Sequence, residues 1–241
     1  MSKSTFLQLC QKFQRMTGIT GSEMTSVENQ TGIPKKIVDW IPDADNEIQG
    51  LWQDWRFLIV DKKVITVNSG QDGTSDEYSL TALGVEDILN RWDPKQFYIN
   101  PGTANYATLT ELKHRDWMGS AARLGVKNSA QPSQFVIRPD NSLVFVDKPN
   151  AEYTVWAAYF KSITKMSANG SMSNIPAAFE NIIIFKAQMK YAAYYEDDDL
   201  YLQAEKDYNM ELVKLEAAQL PEQHSRTTAA NYDDDSVTVV L

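Results

Sequence analysis

The chain has 241 residues, 43% of them hydrophobic and 23% charged, which is typical of a globular protein. A net charge of -9 and the lack of any Lys/Arg-rich block argue against a protein that grips nucleic-acid phosphates. No apolar run approaches the ~20 residues of a membrane span, and the first residues lack a signal-peptide core, so we expect neither.

The single cysteine, Cys10, excludes an internal disulfide and fits a reducing compartment. Cys10 lies among Phe6, Leu9 and Phe13 on the apolar face of a predicted first helix, Ser4 to Met16. We therefore expect a buried, structural thiol. Residues 17–32 are rich in Gly, Ser and Thr and predict a loop.

A second helix is predicted from Pro34 to Phe57, because apolar residues recur there in steps of four and three. Pro42 interrupts this pattern, and we expect either a kink near residues 38–41 or a split helix. Trp40, Trp52 and Trp55 lie near the apolar stripe. Core packing is the first interpretation of these tryptophans, and interface anchoring is the second.

The middle of the chain predicts short strands, in the segments FLIV, KVITVNS and KQFYIN, and one short helix in LTELKHRDWMGSAAR. Its clearest feature is a hairpin, SQFVIRPDNSLVFVDKP, whose β-rich runs flank the turn residues Pro139 to Ser142. The following segment, EYTVWAAYFKSI, predicts a third strand. We expect these three strands to form an antiparallel meander.

Residues 174–221 predict two long helices that meet at an acidic turn. The apolar positions of the first of them extend beyond one stripe, so this helix should be buried on more than one side. The second carries one stripe, from Tyr201 to Leu215, and Pro221 ends it.

The sequence thus predicts the α+β class, with an antiparallel four-helix bundle built from both chain ends and an inserted antiparallel β domain. We place the first half of the bundle at residues 1–57 and the inserted domain at 58–171. The helical hairpin follows at 172–220, and an extended tail at 221–241.

The chain carries little motif-level chemistry. Phosphate-binding glycine spacings, the zinc motif H-E-x-x-H and the G-x-S-x-G elbow are absent, and DADNEI from Asp43 fails as an EF-hand loop because Ile48 stands where glycine is required. We expect no catalytic residues, no metal ligands and no cofactor. The acids from Glu196 to Asp199 could attract a divalent ion, but the favoured interpretation is a helix cap with first-turn acids.

Four stretches, in this order, resemble the head-to-tail adaptor proteins of tailed bacteriophages. They are FLQLCQKFQRMTGITG, TGIPKKIVDWIPDADNEIQGLWQDWRFL, FVIRPDNSLVFVDKPNAEYTVWAAYFKS and IPAAFENIIIFKAQMKYAAYYEDDDLYLQAEKDYNMELVKLEAAQLP. Together the stretches cover about half of the chain. Pro42 departs from the unbroken second helix that the resemblance leads us to expect.

The resemblance implies a non-enzymatic virion protein at the neck, made in the host cytoplasm. It implies a homo-oligomeric ring, typically dodecameric, between the portal protein and a tail or nozzle protein. Phage double-stranded DNA would pass through the ring during packaging and ejection without sequence-specific binding. Two alternatives stay open: another tail or nozzle component, and a virion-associated hydrolase that uses two carboxylates.

Three site hypotheses follow from this interpretation. The wide apolar coverage of the third helix suggests ring packing through Phe179, Ile183, Ile184 and Phe185. The β-branched terminus could add to a sheet edge on a partner, through Ser236, Val237, Thr238, Val239, Val240 and Leu241, with a frayed terminus as the equal alternative. Acidic side chains could line the channel and keep DNA mobile by repulsion.

Overall fold

The computed structural model describes residues 2–19, 21–67, 77–86, 88–100, 106–120 and 128–221. The chain divides into two units. One, the helical unit, comprises Met1–Phe57 and the chain from Ile163, and the other, the β unit, comprises Leu58–Ser162. The helices from the two chain ends pack on one another within the helical unit. The predicted α+β class and the packing of the terminal helices with each other are confirmed.

The described residues contain six α-helices, two of them short helices of the β unit. They are α1 (Phe6–Thr17), α2 (Gly32–Gly50), α3 (Leu80–Leu83), α4 (His114–Met118), α5 (Asn181–Tyr195) and α6 (Asp198–Gln219). Short 3-10 turns occur at Arg56–Leu58 and Ala177–Phe179. Among these described helices, none is both long enough and apolar enough to cross a bilayer.

Ten strands occur in the described residues, all of them in the β unit. They are β1 (Ile59–Val67), β2 (Glu77–Tyr78), β3 (Leu89–Asn100), β4 (Ala107–Thr108), β5 (Thr110–Glu111), β6 (Ser129–Ala130), β7 (Gln134–Ile137), β8 (Leu143–Phe145), β9 (Lys148–Pro149) and β10 (Tyr153–Lys161). They form a sheet of order β1-β10-β3-β4, a second sheet of order β2-β8-β7-β5 and the parallel pair β6-β9.

Helix α1 begins with a reciprocal cap. The Thr5 hydroxyl accepts a hydrogen bond from the Gln8 backbone N–H at 3.3 Å, and the Gln8 side chain accepts one from the Thr5 N–H at 2.9 Å. Two N–H groups that have no partner within the helix are satisfied in this way. Gly18, at φ 65°, ends the helix in the left-handed region, which glycine adopts without a Cβ clash.

Helix α2 runs through Pro42 without interruption from Gly32 to Gly50, so the split alternative is wrong. Pro42 removes one backbone donor, but Ile41, Ala44 and Ile48 on the same helix are fully buried and hold it in place. The predicted extension to Phe57 is also wrong. The chain turns after Gly50, and the buried Trp55 indole N–H donates back to the Gln49 carbonyl at 3.1 Å.

A buried polar network ties α2 to the chain that returns from the β unit. The Ser173 hydroxyl and the Gln49 side-chain amide donate to the two carboxylate oxygens of Asp45, at 2.5 Å and 2.8 Å. The Asn174 amide donates to the Gln49 oxygen at 3.0 Å, and the Lys3 ammonium donates to the Ser173 carbonyl at 2.8 Å. Asp45 is fully buried, and this burial raises the pKa of its carboxyl to about 6.

The segment from Ile163 to Ser171 joins the helical unit, although we placed residues up to 171 in the inserted domain. Its backbone carbonyls explain the difference. Those of Asn169 and Ser171 accept the N–H groups of Leu7 and Phe6, at 3.3 Å and 2.7 Å. The first turn of α1 has no helical partners for these donors, so the returning chain satisfies them.

The β unit has one main apolar core, to which both four-stranded sheets contribute side chains. Phe97 of β3 stacks on Phe135 of β7 with ring centroids 4.0 Å apart, and alternate β10 residues from Tyr153 to Tyr159 contribute to the same core. On the other face of β7 and β8, Trp117 of α4 covers Val136 and Val144. Since these two strands are buried on both faces, their sequence shows no alternation.

The predicted hairpin is confirmed as the antiparallel pair β7-β8. Asn141 adopts φ 62° in its turn, and hydrogen bonds from Ser142 to Asp140 lower the pKa of the Asp140 carboxyl. The three-stranded meander is wrong, because β10 pairs with β1 and β3 in the other sheet. A nine-residue strand forms a longer ladder with β1 and β3 than with the three residues of β8.

Asp45→Asn should change how stability depends on pH. Because the folded state raises the Asp45 pKa, the stability that the neutral carboxyl provides is fully present below pH ~4 and is lost as pH rises through about 6. The free energy of unfolding of the variant, relative to the unmodified protein, should therefore increase by about 2 kcal/mol between pH 4 and pH 7. Urea denaturation across this range measures the difference.

Asp43→Asn is the matched control, since Asp43 lies on the same helix but pairs with Lys165 at 2.6 Å at the surface. It should show no comparable increase with pH. A difference between Asp45→Asn and the unmodified protein that stays constant from pH 4 to pH 7 would contradict the assignment.

Candidate functional site

The residues proposed for ring packing lie in and just before α5, and the structure buries two of them within the chain itself. Ile183 and Ile184 have no exposed surface, while Phe179 and Phe185 are half-buried. The wide apolar coverage of this helix has a reason within one chain, because α1, α2 and α6 all pack against α5. Ile183 and Ile184 therefore present no surface to a neighbour in this conformation.

The proposed partner-binding residues of the terminus, Ser236 to Leu241, lie outside the described residues. The described part of the chain ends at Pro221, just beyond α6.

Helix α6 carries apolar side chains on the face that points away from α5. Its inner face is buried through Ala204, Tyr208, Leu212 and Leu215. At 100° per residue, four exposed apolar residues gather on the opposite side, and we call them the outer stripe: Leu202, Met210, Val213 and Ala217. Leu202 is 62% exposed and Val213 is 59% exposed, about three helical turns apart.

An aromatic cluster lies where the end of α5 meets α2, and consists of Trp40, Tyr191, Tyr194 and Tyr195. Trp40 contacts Tyr191 and Tyr194 with ring centroids 5.9 Å apart in both cases. Tyr195 lies 4.7 Å from Tyr191 and 4.9 Å from Tyr194. Tyr194 is 56% exposed and Tyr195 is 43% exposed, so the cluster offers ring faces and edges to solvent.

The acidic turn follows the cluster directly and comprises Glu196, Asp197, Asp198 and Asp199, all exposed. Asp197 caps α6, because its carboxylate accepts the Leu200 N–H at 3.0 Å, as the sequence predicted. Asp198 and Asp199 occupy the first turn of α6, where the helix dipole favours negative charge. Burial raises the pKa of the Tyr191 hydroxyl, and the negative charges of ionised Tyr195 and of Asp197 raise this pKa further.

A lysine of α2, Lys36, lies at the aromatic cluster. The Lys36 ammonium lies 3.1 Å from the ring centroid of Tyr194, a cation–π contact. The neighbouring Lys35 is paired with Asp39 at 2.6 Å. The Tyr194 ring therefore holds a cation of the chain itself on one face, and the acidic turn follows Tyr195 directly in the sequence.

Cys10 and His114, whose residue types act as catalytic groups in many enzymes, pack against other side chains in this protein. Cys10 is fully buried, and burial raises the pKa of its thiol to about 12, so it stays protonated. His114 packs beside Trp117 with ring centroids 5.8 Å apart. Among the described residues, no three His, Cys, Asp or Glu side chains gather closely enough to hold a metal ion.

Trp55 is a core residue, as the first interpretation held, and Trp52 donates to the Glu216 carboxylate at 2.9 Å. The aromatic cluster and the outer stripe were missed. The signal for the cluster was the spacing of Tyr191, Tyr194 and Tyr195, which places them on one helix face. The signal for the outer stripe was the apolar content of the presumed polar face of α6.

A family model described as SU10 adaptor protein matches residues 4–233 of the chain. A search of curated proteins gives no match. The family match spans both helical ends and the inserted β unit, and therefore agrees with the resemblance carried by the four sequence stretches. The chain belongs to the SU10 adaptor protein family, whose members are phage head-to-tail adaptors.

Proposed function

We propose that this protein is a structural virion component that joins the portal to the tail as a homo-oligomeric ring around the DNA channel. The observation that carries the proposal is the family match over residues 4–233. The ring would be dodecameric, as the resemblance implies, and the helices α1, α2, α5 and α6 would form an antiparallel bundle that serves as its building block. A tail or nozzle protein would bind on the side opposite the portal.

The outer stripe of α6 is the surface we assign to contact between copies. An apolar stripe on a rigid helix that the described residues of the chain leave exposed is typical of a protein–protein interface. A ring needs this stripe to meet a different face of the neighbouring copy, because head-to-tail contacts close into rings. The half-buried Phe179 and Phe185 are candidates for that second face.

Charge is consistent with a channel for DNA. A chain of net charge -9 repels the phosphate backbone on average, so acids facing the lumen would let the genome slide instead of adhering. Which acids face inward depends on the ring, and a ring with a mainly basic lumen would contradict this part of the proposal.

The competing function is another tail or nozzle component. Electron microscopy of virions labelled on this protein separates the two, since an adaptor lies at the neck directly below the portal. A virion-associated hydrolase would instead clear cell-wall material in a zymogram.

Val213→Glu should weaken assembly and leave the fold intact. Val213 is 59% exposed in the chain, so the free energy of unfolding should change by less than about 0.5 kcal/mol. In a ring, the new carboxylate would be buried against an apolar neighbour, and the dissociation constant between copies should rise about tenfold or more. Sedimentation velocity of the protein, alone and mixed with its portal, measures the proportions of single copies and of assembled rings.

Ala218→Glu introduces the same side chain at an exposed position of α6 outside the outer stripe and is the matched control. It should assemble like the unmodified protein. Equal assembly of both variants would remove the outer stripe from the interface, and a protein that stays monomeric with and without the portal would refute the ring.

Deletion of Ser236–Leu241 should weaken binding to the portal if this β-branched segment adds to a sheet edge of the partner. A loss of about tenfold in affinity is expected, measured by biolayer interferometry on immobilised portal. Changing Asp233, Asp234 and Asp235 to Asn is the control, since it alters the charge of the tail but keeps the apolar residues. Unchanged affinity of the deletion variant rules the docking out.

A further inference from the structure

The exposed part of the aromatic cluster, at Tyr194 and Tyr195, is a surface to which the proposed ring interface assigns no role. Its four rings come from α2 and α5, contact one another and leave about half of Tyr194 and Tyr195 in solvent. On the inner side of the cluster, Tyr191 contacts Phe13 edge-on, with ring centroids 5.9 Å apart. Tyr191 thus connects the cluster to the core, and the exposed parts of Tyr194 and Tyr195 are not needed for this contact. Exposed, mutually supported tyrosines and a tryptophan are the residue types that dominate protein–protein contacts.

The charge around the cluster is negative on the side of the acidic turn. Its four carboxylates are exposed, and in the part of the chain that the structure describes none of them forms an ion pair. The lysines of α5 are engaged elsewhere, since Lys186 and Lys190 both pair with Glu47 of α2. The acidic turn therefore keeps its negative charge available to a cation from outside the chain.

The position of the Lys36 ammonium indicates which kind of ligand fits the aromatic cluster. Lys36 already lies over the ring of Tyr194, so these faces attract positive charge in their present arrangement. Tyr195 lies beside that ring and directly precedes the acidic turn. A guanidinium or ammonium placed over Tyr195 would contact a ring face and meet carboxylates at the same time.

We propose that the aromatic cluster and the acidic turn form a docking surface for an arginine- or lysine-bearing segment of a different virion protein. The chain's own terminus is a poor occupant, because residues 222–241 hold Arg226 against four carboxylates. A second copy is not the occupant we assign, because the contact between copies is assigned to the outer stripe. The inference rests on the adaptor role but not on the ring interface, which uses the outer stripe.

Binding of an arginine-rich peptide to the full chain tests the chemistry, with the same peptide carrying uncharged citrulline as its reference. The arginine peptide should bind about tenfold or more tightly than the citrulline peptide, measured by isothermal titration calorimetry. Tyr194→Leu with Tyr195→Leu keeps the apolar surface but removes the π faces, and should lower affinity about fivefold or more. Tyr194→Phe with Tyr195→Phe keeps the faces and should bind like the unmodified protein.

The acidic turn is tested against a charge-matched control. Glu196→Gln, Asp198→Asn and Asp199→Asn together should lower affinity about tenfold, whereas Asn at positions 233, 234 and 235 removes the same charge elsewhere and should not. Equal losses in the two triple variants, or full binding by the leucine variant, would overturn the proposal. All variants should retain the oligomeric state of the unmodified protein, so this result is separate from a failure of the ring.

Photo-crosslinking identifies the occupant. A benzoyl-phenylalanine at position 195 in assembled particles should crosslink to an Arg- or Lys-bearing segment of another virion protein. Crosslinks to another copy of this chain, for example near Lys113 and Arg115, would overturn the proposal, as would crosslinks to a segment without cations. An uncrosslinked position 195, in particles where a probe at position 213 does crosslink, would overturn it as well.

Discussion

The fold of the helical unit depends on the joining of two distant parts of the chain. The β unit separates α2 from α5, and the hydrogen bonds of Asp45 to Ser173 and of Gln49 to Asn174 span 128 and 125 residues. Closing so long a loop costs conformational entropy, which the apolar packing of α2 on α5 must offset. The buried carboxylate adds little net stability, but it allows only one pairing of donors, and thus sets the register between the two parts.

Local signals in the sequence predicted the elements whose ends are determined locally. The apolar stripe of α1, the turn at Asp140 and the cap at Asp197 each depend on residues within one or two turns. The packing of both chain ends together was also predictable, since the helical periodicity stops near residue 57 and resumes near 174. Apart from this packing, these features depend only on residues that are close in the sequence.

The features that the sequence did not predict depend on distant partners. The place of β10 between β1 and β3 follows from ladder length, which residue patterns within β10 do not reveal. The burial of Ile183 and Ile184 follows from three helices packing around α5, so an apolar surface that suggested contact between copies serves the chain's own core. Asp45 looks like a surface acid until Ser173 is known to face it.

An adaptor must keep its own shape and still leave surface for its neighbours, and α5 and α6 divide these tasks along their length. The middle of α5 is buried on several sides and makes the hairpin rigid, while its last turn exposes Tyr194 and Tyr195. Helix α6 buries one face on α5 and exposes the outer stripe on the other. Since both exposed surfaces are fixed to one buried core, contacts formed at either of them meet side chains that are already held in position, which lowers the entropy lost on binding.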